Sequence, residues 1–83
     1  MFNKEFNLHI VRYNKQIFSG LVIKVKISSE IGEMEILFGH SPLIALIKPG
    51  PLLIVDKKMN KKFINISESI LEIQQKTVII LTN

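Results

Sequence analysis

Leu21-Val22-Ile23-Lys24-Val25-Lys26-Ile27-Ser28 decides the fold class, because from Ile23 onward it alternates an apolar side chain with a lysine or a serine. Successive side chains of a strand point to opposite faces. Leu21, Ile23, Val25 and Ile27 therefore read as one buried face, with Lys24, Lys26 and Ser28 on a wet face. The same period extends on both sides. Upstream, Phe6, Leu8 and Ile10 share a face; downstream, Met34, Ile36 and Phe38 do, with Glu33 and Glu35 opposite. Each segment is expected to be a half-buried antiparallel strand.

The second half has a different pattern. Leu43-Ile44-Ala45-Leu46-Ile47, Leu52-Leu53-Ile54-Val55 and Val78-Ile79-Ile80-Leu81 are apolar at every position. A strand apolar on both faces needs both covered. A chain of 83 residues holds one small core, so one face of these strands is available for another protein; tight packing inside a sandwich is the other source of such runs. Turn chemistry punctuates the strands: Tyr13-Asn14-Lys15-Gln16, Ser28 through Gly32, Pro42, Pro49-Gly50-Pro51, Asp56 through Lys62, and Gln74-Gln75-Lys76. Turns this closely spaced, with no helical period, predict an all-β sandwich or small barrel over residues 1–83 as a single domain.

Composition agrees. A domain of this length buries only roughly 60–65% of its unfolded surface, and with no cysteine in the chain neither a disulfide nor a thiolate metal site supplements it. Isoleucine occurs 15 times, and its branched β-carbon suits a pleated surface. The net charge of +4 permits an acidic partner, a membrane surface or nucleic acid; the single arginine argues against dedicated phosphate recognition. No apolar run reaches the roughly 20 residues of a membrane-spanning helix. Met1 through Phe6 lack the apolar stretch of a secretory signal.

Elements of catalysis are missing. His9 and His40 are the two histidines, and nothing in their spacing to Glu33 or Glu35 makes a ligand set. The four glycines are scattered, so no phosphate-cradling loop exists, and neither Ser19-Gly20 nor Ser67-Glu68-Ser69 forms a nucleophile elbow. Glu30, Glu33 and Glu35 read as a solvated acidic loop or as a docking loop for a basic partner. The hairpin Asp56-Lys57-Lys58-Met59-Asn60-Lys61-Lys62 holds four lysines, which protect strand edges from aggregation. Their sharper reading is a small basic β-barrel that binds nucleic acid; the scarcity of aromatic residues weighs against it.

Five segments, in order, carry a family resemblance. Ile17-Phe18-Ser19-Gly20-Leu21-Val22 resembles the F-S-G-x-V signature of ATP synthase epsilon subunits, Gly32-Glu33-Met34-Glu35-Ile36 the G-E-x-G-I segment, Gly39-His40-Ser41-Pro42-Leu43 the G-H-A-P-L segment and Ile47-Lys48-Pro49-Gly50 the I-K-P-G segment. Phe63-Ile64 and Ile70-Leu71-Glu72-Ile73 fit the strands that follow. Departures are local: Glu35 stands in place of a glycine, Ser67-Glu68-Ser69 in place of S-G-G, and Gln75-Lys76 in place of a Pro-Gly turn.

The resemblance implies a flattened ten-stranded β-sandwich, non-catalytic and without a cofactor. It implies a rotor part of a proton-translocating ATP synthase that binds the gamma subunit and the c-ring and couples ring rotation to ATP synthesis. Ring contacts would fall on Ser28, Ser29, Glu30, Ile31, Gly32 and Glu33, and on His40, Ser41 and Pro42. Gamma contacts would fall on Arg12, His40, Leu43, Ala45 and Leu46. Neither nucleic acid nor a homo-oligomer is expected, and the location would be the cytoplasmic face of a bacterial inner membrane, or a plastid, peripheral and held through the complex. Relatives continue as two antiparallel helices that restrain hydrolysis or bind ATP; with the sequence stopping at Leu81-Thr82-Asn83, a coupling part without that regulation is expected.

Overall fold

A computed structural model of the chain describes residues 4–83; the beginning of the stretch read above as non-secretory, residues 1–3, lies outside the described residues. Nine strands follow one another: β1 Phe6–Arg12, β2 Lys15–Val22, β3 Lys24–Ser29, β4 Gly32–Ile36, β5 Leu43–Ile47, β6 Gly50–Val55, β7 Lys61–Ile66, β8 Ser69–Ile73 and β9 Thr77–Thr82. They form one curled sheet in the order β2-β1-β9-β8-β5-β3-β6-β7, with β4 on the remaining edge of β3. The resemblance implies ten strands; the described residues hold nine. The stretch before β5 is a turn at Phe38-Gly39 rather than a strand, with Gly39 at φ 83°.

The sheet folds over on itself into two halves. β2, β1, β9, β8 and β5 make one, and β4, β3, β6 and β7 the other. β1 and β9 run parallel, and every other pairing is antiparallel. Between the halves lies one core, with Leu8, Ile10, Leu71 and Ile80 from the first meeting Val25, Ile36, Leu52 and Ile54 from the second. The thinnest dimension, 19 Å, fits two layers about 10 Å apart. A single residue pair, Ser29↔Ile47, joins β3 to β5 and so joins the halves. At the open seam, the last strands of the path approach one another, with Lys62 Nζ 5.6 Å from the centroid of the Phe18 ring.

Three sequence expectations need correction. The run Leu21–Ser28 is not one strand: Val22 ends β2 and Lys24 begins β3. Val22 and Ile23 are both buried, so the alternation slips by one residue and Leu21 turns outward. The cause is a change of half, since the Ile23 N–H donates to the Val55 carbonyl (2.8 Å) on β6. Second, Phe38 does not extend the Met34–Ile36 series; it lies in a turn beyond β4, exposed, with Lys4 Nζ 5.2 Å from its ring centroid. Third, the turn placed at Tyr13–Gln16 shrinks to Tyr13-Asn14, because Arg12 and Lys15 pair as the last rung of the hairpin.

Candidate functional site

On β5 the alternation sorts an all-apolar strand into two faces. Leu43, Ala45 and Ile47 turn toward the core, whereas Ile44 and Leu46 face outward. The ladder extends that outward face. Leu46 pairs with Ile70 on β8, Ile70 with Leu81 on β9, and Leu81 with Val11 on β1. The four side chains form a straight apolar row across four strands, of which only β8 and β9 follow one another in sequence. A second row runs Ile44, Glu72, Ile79, His9 and Ser19. Its polar end is self-satisfied: His9 Nδ1 lies 3.0 Å from Ser19 Oγ and 3.3 Å from Gln16 Oε1.

The β3–β4 loop lies against the free edge of this surface. Ser29 is buried; its hydroxyl donates to the Gly32 carbonyl (2.8 Å) and accepts from the Ile31 N–H (3.2 Å). Gly32 closes the turn at φ 115°, a region L-residues avoid. The Glu30 N–H reaches the Leu46 carbonyl at 3.4 Å, so the loop tip runs alongside β5. Ser29, Glu30 and Ile31 share a shallow hollow of about 230 Å³ with Leu43 through Leu46. Ile31, Ile44, Leu46, Ile70 and Leu81 expose between 44% and 80% of their surface, which makes a patch of the kind that marks docking sites. Covering one such side chain stabilises a complex by about 1–2 kcal/mol.

The resemblance-derived residues distribute unevenly. Ser28, Glu30, Ile31 and Glu33 are exposed around the loop, while Ser29 is spent on the loop's own bracing. His40 is half-buried; its N–H donates to the Leu37 carbonyl (3.2 Å) and its Nδ1 to the Ser41 carbonyl (2.8 Å). Ser41 and Pro42 are exposed at the start of β5. Among the described residues no hydrogen bond links His40–Pro42 to Ser28–Glu33. Arg12 lies on the rung that continues through Thr82, Ser69 and Ile47 to Ser29. Leu43 is four residues further along β5, about 13 Å away at strand rise, so Arg12 and the start of β5 sit at opposite ends of the row's strands. Val11, Ile70 and Leu81 enter the patch without having been foreseen as site residues; for Leu81 the doubly apolar run was the signal, and for Ile70 it was an apolar residue at an outward position of β8.

Among the described residues no group of three or more His, Asp or Glu is gathered as a metal would need. At the β6–β7 tip, Asp56 Oδ1 accepts from the Asn60 and Lys58 N–H groups (2.9 Å each) and Oδ2 from Asn60 Nδ2 (3.1 Å). These bonds, Asn60's first, hold its carboxyl below the usual range. No helix is long and apolar enough to cross a membrane.

The family profile described as "ATP synthase, Delta/Epsilon chain, beta-sandwich domain" matches residues 5–83. Among solved structures, a chain of the Euglena gracilis mitochondrial ATP synthase OSCP/F1/c-ring assembly is similar with a TM-score of 0.89 and 25% identity, over 94% of this chain and 50% of that one. A chain of the Tetrahymena thermophila mitochondrial ATP synthase central stalk/c-ring is similar with a TM-score of 0.76 at 11% identity, over 99% of this chain and 66% of that one, a likeness of fold. The chain thus spans half the length of the Euglena chain and 66% of the Tetrahymena one.

Proposed function

The chain belongs to the ATP synthase delta/epsilon β-sandwich family, and from that premise we propose that it is a non-catalytic central-stalk part of a proton-translocating rotary ATP synthase, binding the gamma subunit and the c-ring and coupling ring rotation to ATP synthesis. The observation that carries this reading is the outward apolar row Leu46–Ile70–Leu81–Val11, with Ile44 and Ile31 beside it. The neighbouring Tetrahymena chain comes from a central stalk/c-ring assembly, which supports the same placement.

Gamma would take the sheet face that includes Leu46, with His40 near the start of β5; Leu43 and Ala45, expected from the resemblance to touch gamma, pack against the core instead, and Arg12 shares their inward phase. The ring would take the exposed loop Ser28–Glu33 and the His40–Pro42 segment. Glu30 and Glu33, both exposed, suit basic ring loops. The chain would be peripheral to its membrane and held there by the complex, on the cytoplasmic face of a bacterial inner membrane or in a plastid; the two solved relatives are mitochondrial. The nucleic-acid reading has only the lysine hairpin behind it, and those lysines flank an edge strand where charge prevents aggregation.

The test is reconstitution with the gamma subunit of the same complex. A stable 1:1 complex, burying at least about 1,000 Å², is expected. A chain that stays monomeric beside its cognate gamma sinks the proposal.

A further inference from the structure

We propose that the partner covering the apolar face brings a basic side chain to Glu72 and His9, the two hydrogen-bond acceptors that flank Ile79. The inference rests on the docking reading above and adds the chemistry of the contact. Glu72 leaves β8 on the outward side, because its neighbours Leu71 and Ile73 are both buried. Its surroundings there are apolar on three sides. Ile44 is its rung partner on β5, Ile79 its rung partner on β9, and Ile70 precedes it by two residues on the same face. Among the described residues one side chain reaches the carboxylate: Gln74 Nε2 donates to Oε2 at 2.9 Å. The ion pair among those residues, Lys24–Glu35, lies on the other half of the sandwich. A surface that closes over Ile44, Leu46, Ile70 and Ile79 also takes Glu72 out of water, and a carboxylate buried without a counter-charge is costly. The partner therefore has to supply that charge.

His9 stands on the far side of Ile79, on the same rung and the same face, since Leu8 and Ile10 are fully buried. Gln16 Oε1, 3.3 Å from its Nδ1, can only accept a hydrogen bond, whereas the Ser19 hydroxyl at 3.0 Å can accept as well. A proton on Nδ1 meets both contacts and leaves Nε2 of the neutral ring as an acceptor. No hydrogen bond to Nε2 occurs among the described residues. Glu72 and His9 each stand one strand away from Ile79, so a basic side chain lying on Ile79 has an acceptor on either side. Among the described residues they are also the only ionisable side chains at the outward positions of β5, β8, β9, β1 and β2. Arg12 and Lys15 share the opposite phase, and Glu5, Glu30 and Lys76 lie beyond the strand ends. A second proton on His9 turns its free acceptor into a donor and adds a positive charge, which repels the partner's cation.

Titration calorimetry of the chain with its gamma subunit, at about pH 8 and about pH 5.5 to bracket the titration of an imidazole, tests this with three variants. Glu72→Gln keeps the shape and removes the charge. It is expected to weaken binding roughly 10- to 100-fold at the higher pH and to flatten the salt dependence. The unaltered chain should lose about tenfold in affinity on acidification; His9→Phe, the weaker binder at the higher pH, should lose less. Leu46→Lys reports on docking alone. Thermal melting of each variant beside the unaltered chain separates lost contacts from misfolding. Unchanged or tighter binding by Glu72→Gln, with Leu46→Lys weakened, overturns the basic contact and leaves the docking reading standing. Should Glu72→Gln melt early, the pH comparison decides, and an equal loss in the unaltered chain and in His9→Phe overturns the proposal. Absence of any complex with the unaltered chain overturns both readings.

Discussion

Leu46 of β5 and Ile70 of β8 stand directly opposite one another with both side chains turned to the outer surface. Because Leu46 already meets water, Leu46→Lys should leave folding stability within about 0.5 kcal/mol. A lysine placed in the middle of a dry interface is another matter, and the complex with gamma should weaken by at least about tenfold. Circular dichroism melting and a gamma pull-down, run on the same sample, check both halves. An unfolded Leu46→Lys chain would mean the side chain is core.

Leu71 is the inward neighbour of Ile70 and is fully buried. Leu71→Ala should cost about 2–5 kcal/mol through lost burial and the cavity left behind. Ile70→Ala, one residue away, should cost far less. Urea unfolding of the two variants reads the faces of β8 directly, and equal losses would contradict the alternation.

Ser29→Ala removes one acceptor and one donor from the loop while keeping its volume nearly unchanged. With the Ile31 N–H and the Gly32 carbonyl losing their partner, the loss should be about 1–3 kcal/mol. In a domain of this size each kcal/mol lowers Tm by about 4–8 °C. Gly32→Ala should destabilise by a similar amount for a different reason, the strain of φ 115° with a Cβ. Calorimetry of the two single variants checks both values.

Asp56 gives a pH-dependent signature. Its folded-state pKa is held below the ordinary carboxylate value, first by the Asn60 backbone bond. A depressed carboxylate stabilises the hairpin above its unfolded pKa, and that contribution disappears as pH falls through the folded value. NMR titration should show the Lys58 and Asn60 amides shifting together at a pH below that at which an unperturbed aspartate titrates. In Asp56→Asn the shift should be absent.

The strands were legible wherever alternation was local. Phe6, Leu8 and Ile10 are buried as their period predicts, and the doubly apolar β5 does carry an exposed apolar face. The phase slip at Val22-Ile23 was not legible, because both residues are apolar and the break depends on the Ile23–Val55 bond from a distant strand. Nor was the row itself. Val11, Leu46, Ile70 and Leu81 come together only through the parallel β1–β9 pairing and the β5–β8 register, and no local pattern encodes either. Arg12 was named as a contact only through family resemblance; that its Nε is buried without a hydrogen-bond partner among the described residues is a fact of packing that no sequence pattern shows.

The lone Ser29↔Ile47 pair has a mechanical consequence. The two halves are tied to each other there by one rung, extended by the Lys48–Ser28 and Glu30–Leu46 backbone bonds, and by the chain itself through Ile23, residues 37–42, residues 48–49 and residues 67–68. A tangential load placed on the outer face of β5 and β8 is passed to β3 and β6 through that narrow bridge, the connecting segments and the shared core. Each half, cross-linked by full ladders, resists shear as a plate. Among the backbone ladders the joint between the halves is therefore the narrowest, and under load the halves are held together mainly by the side chains packed between them and by the connecting segments.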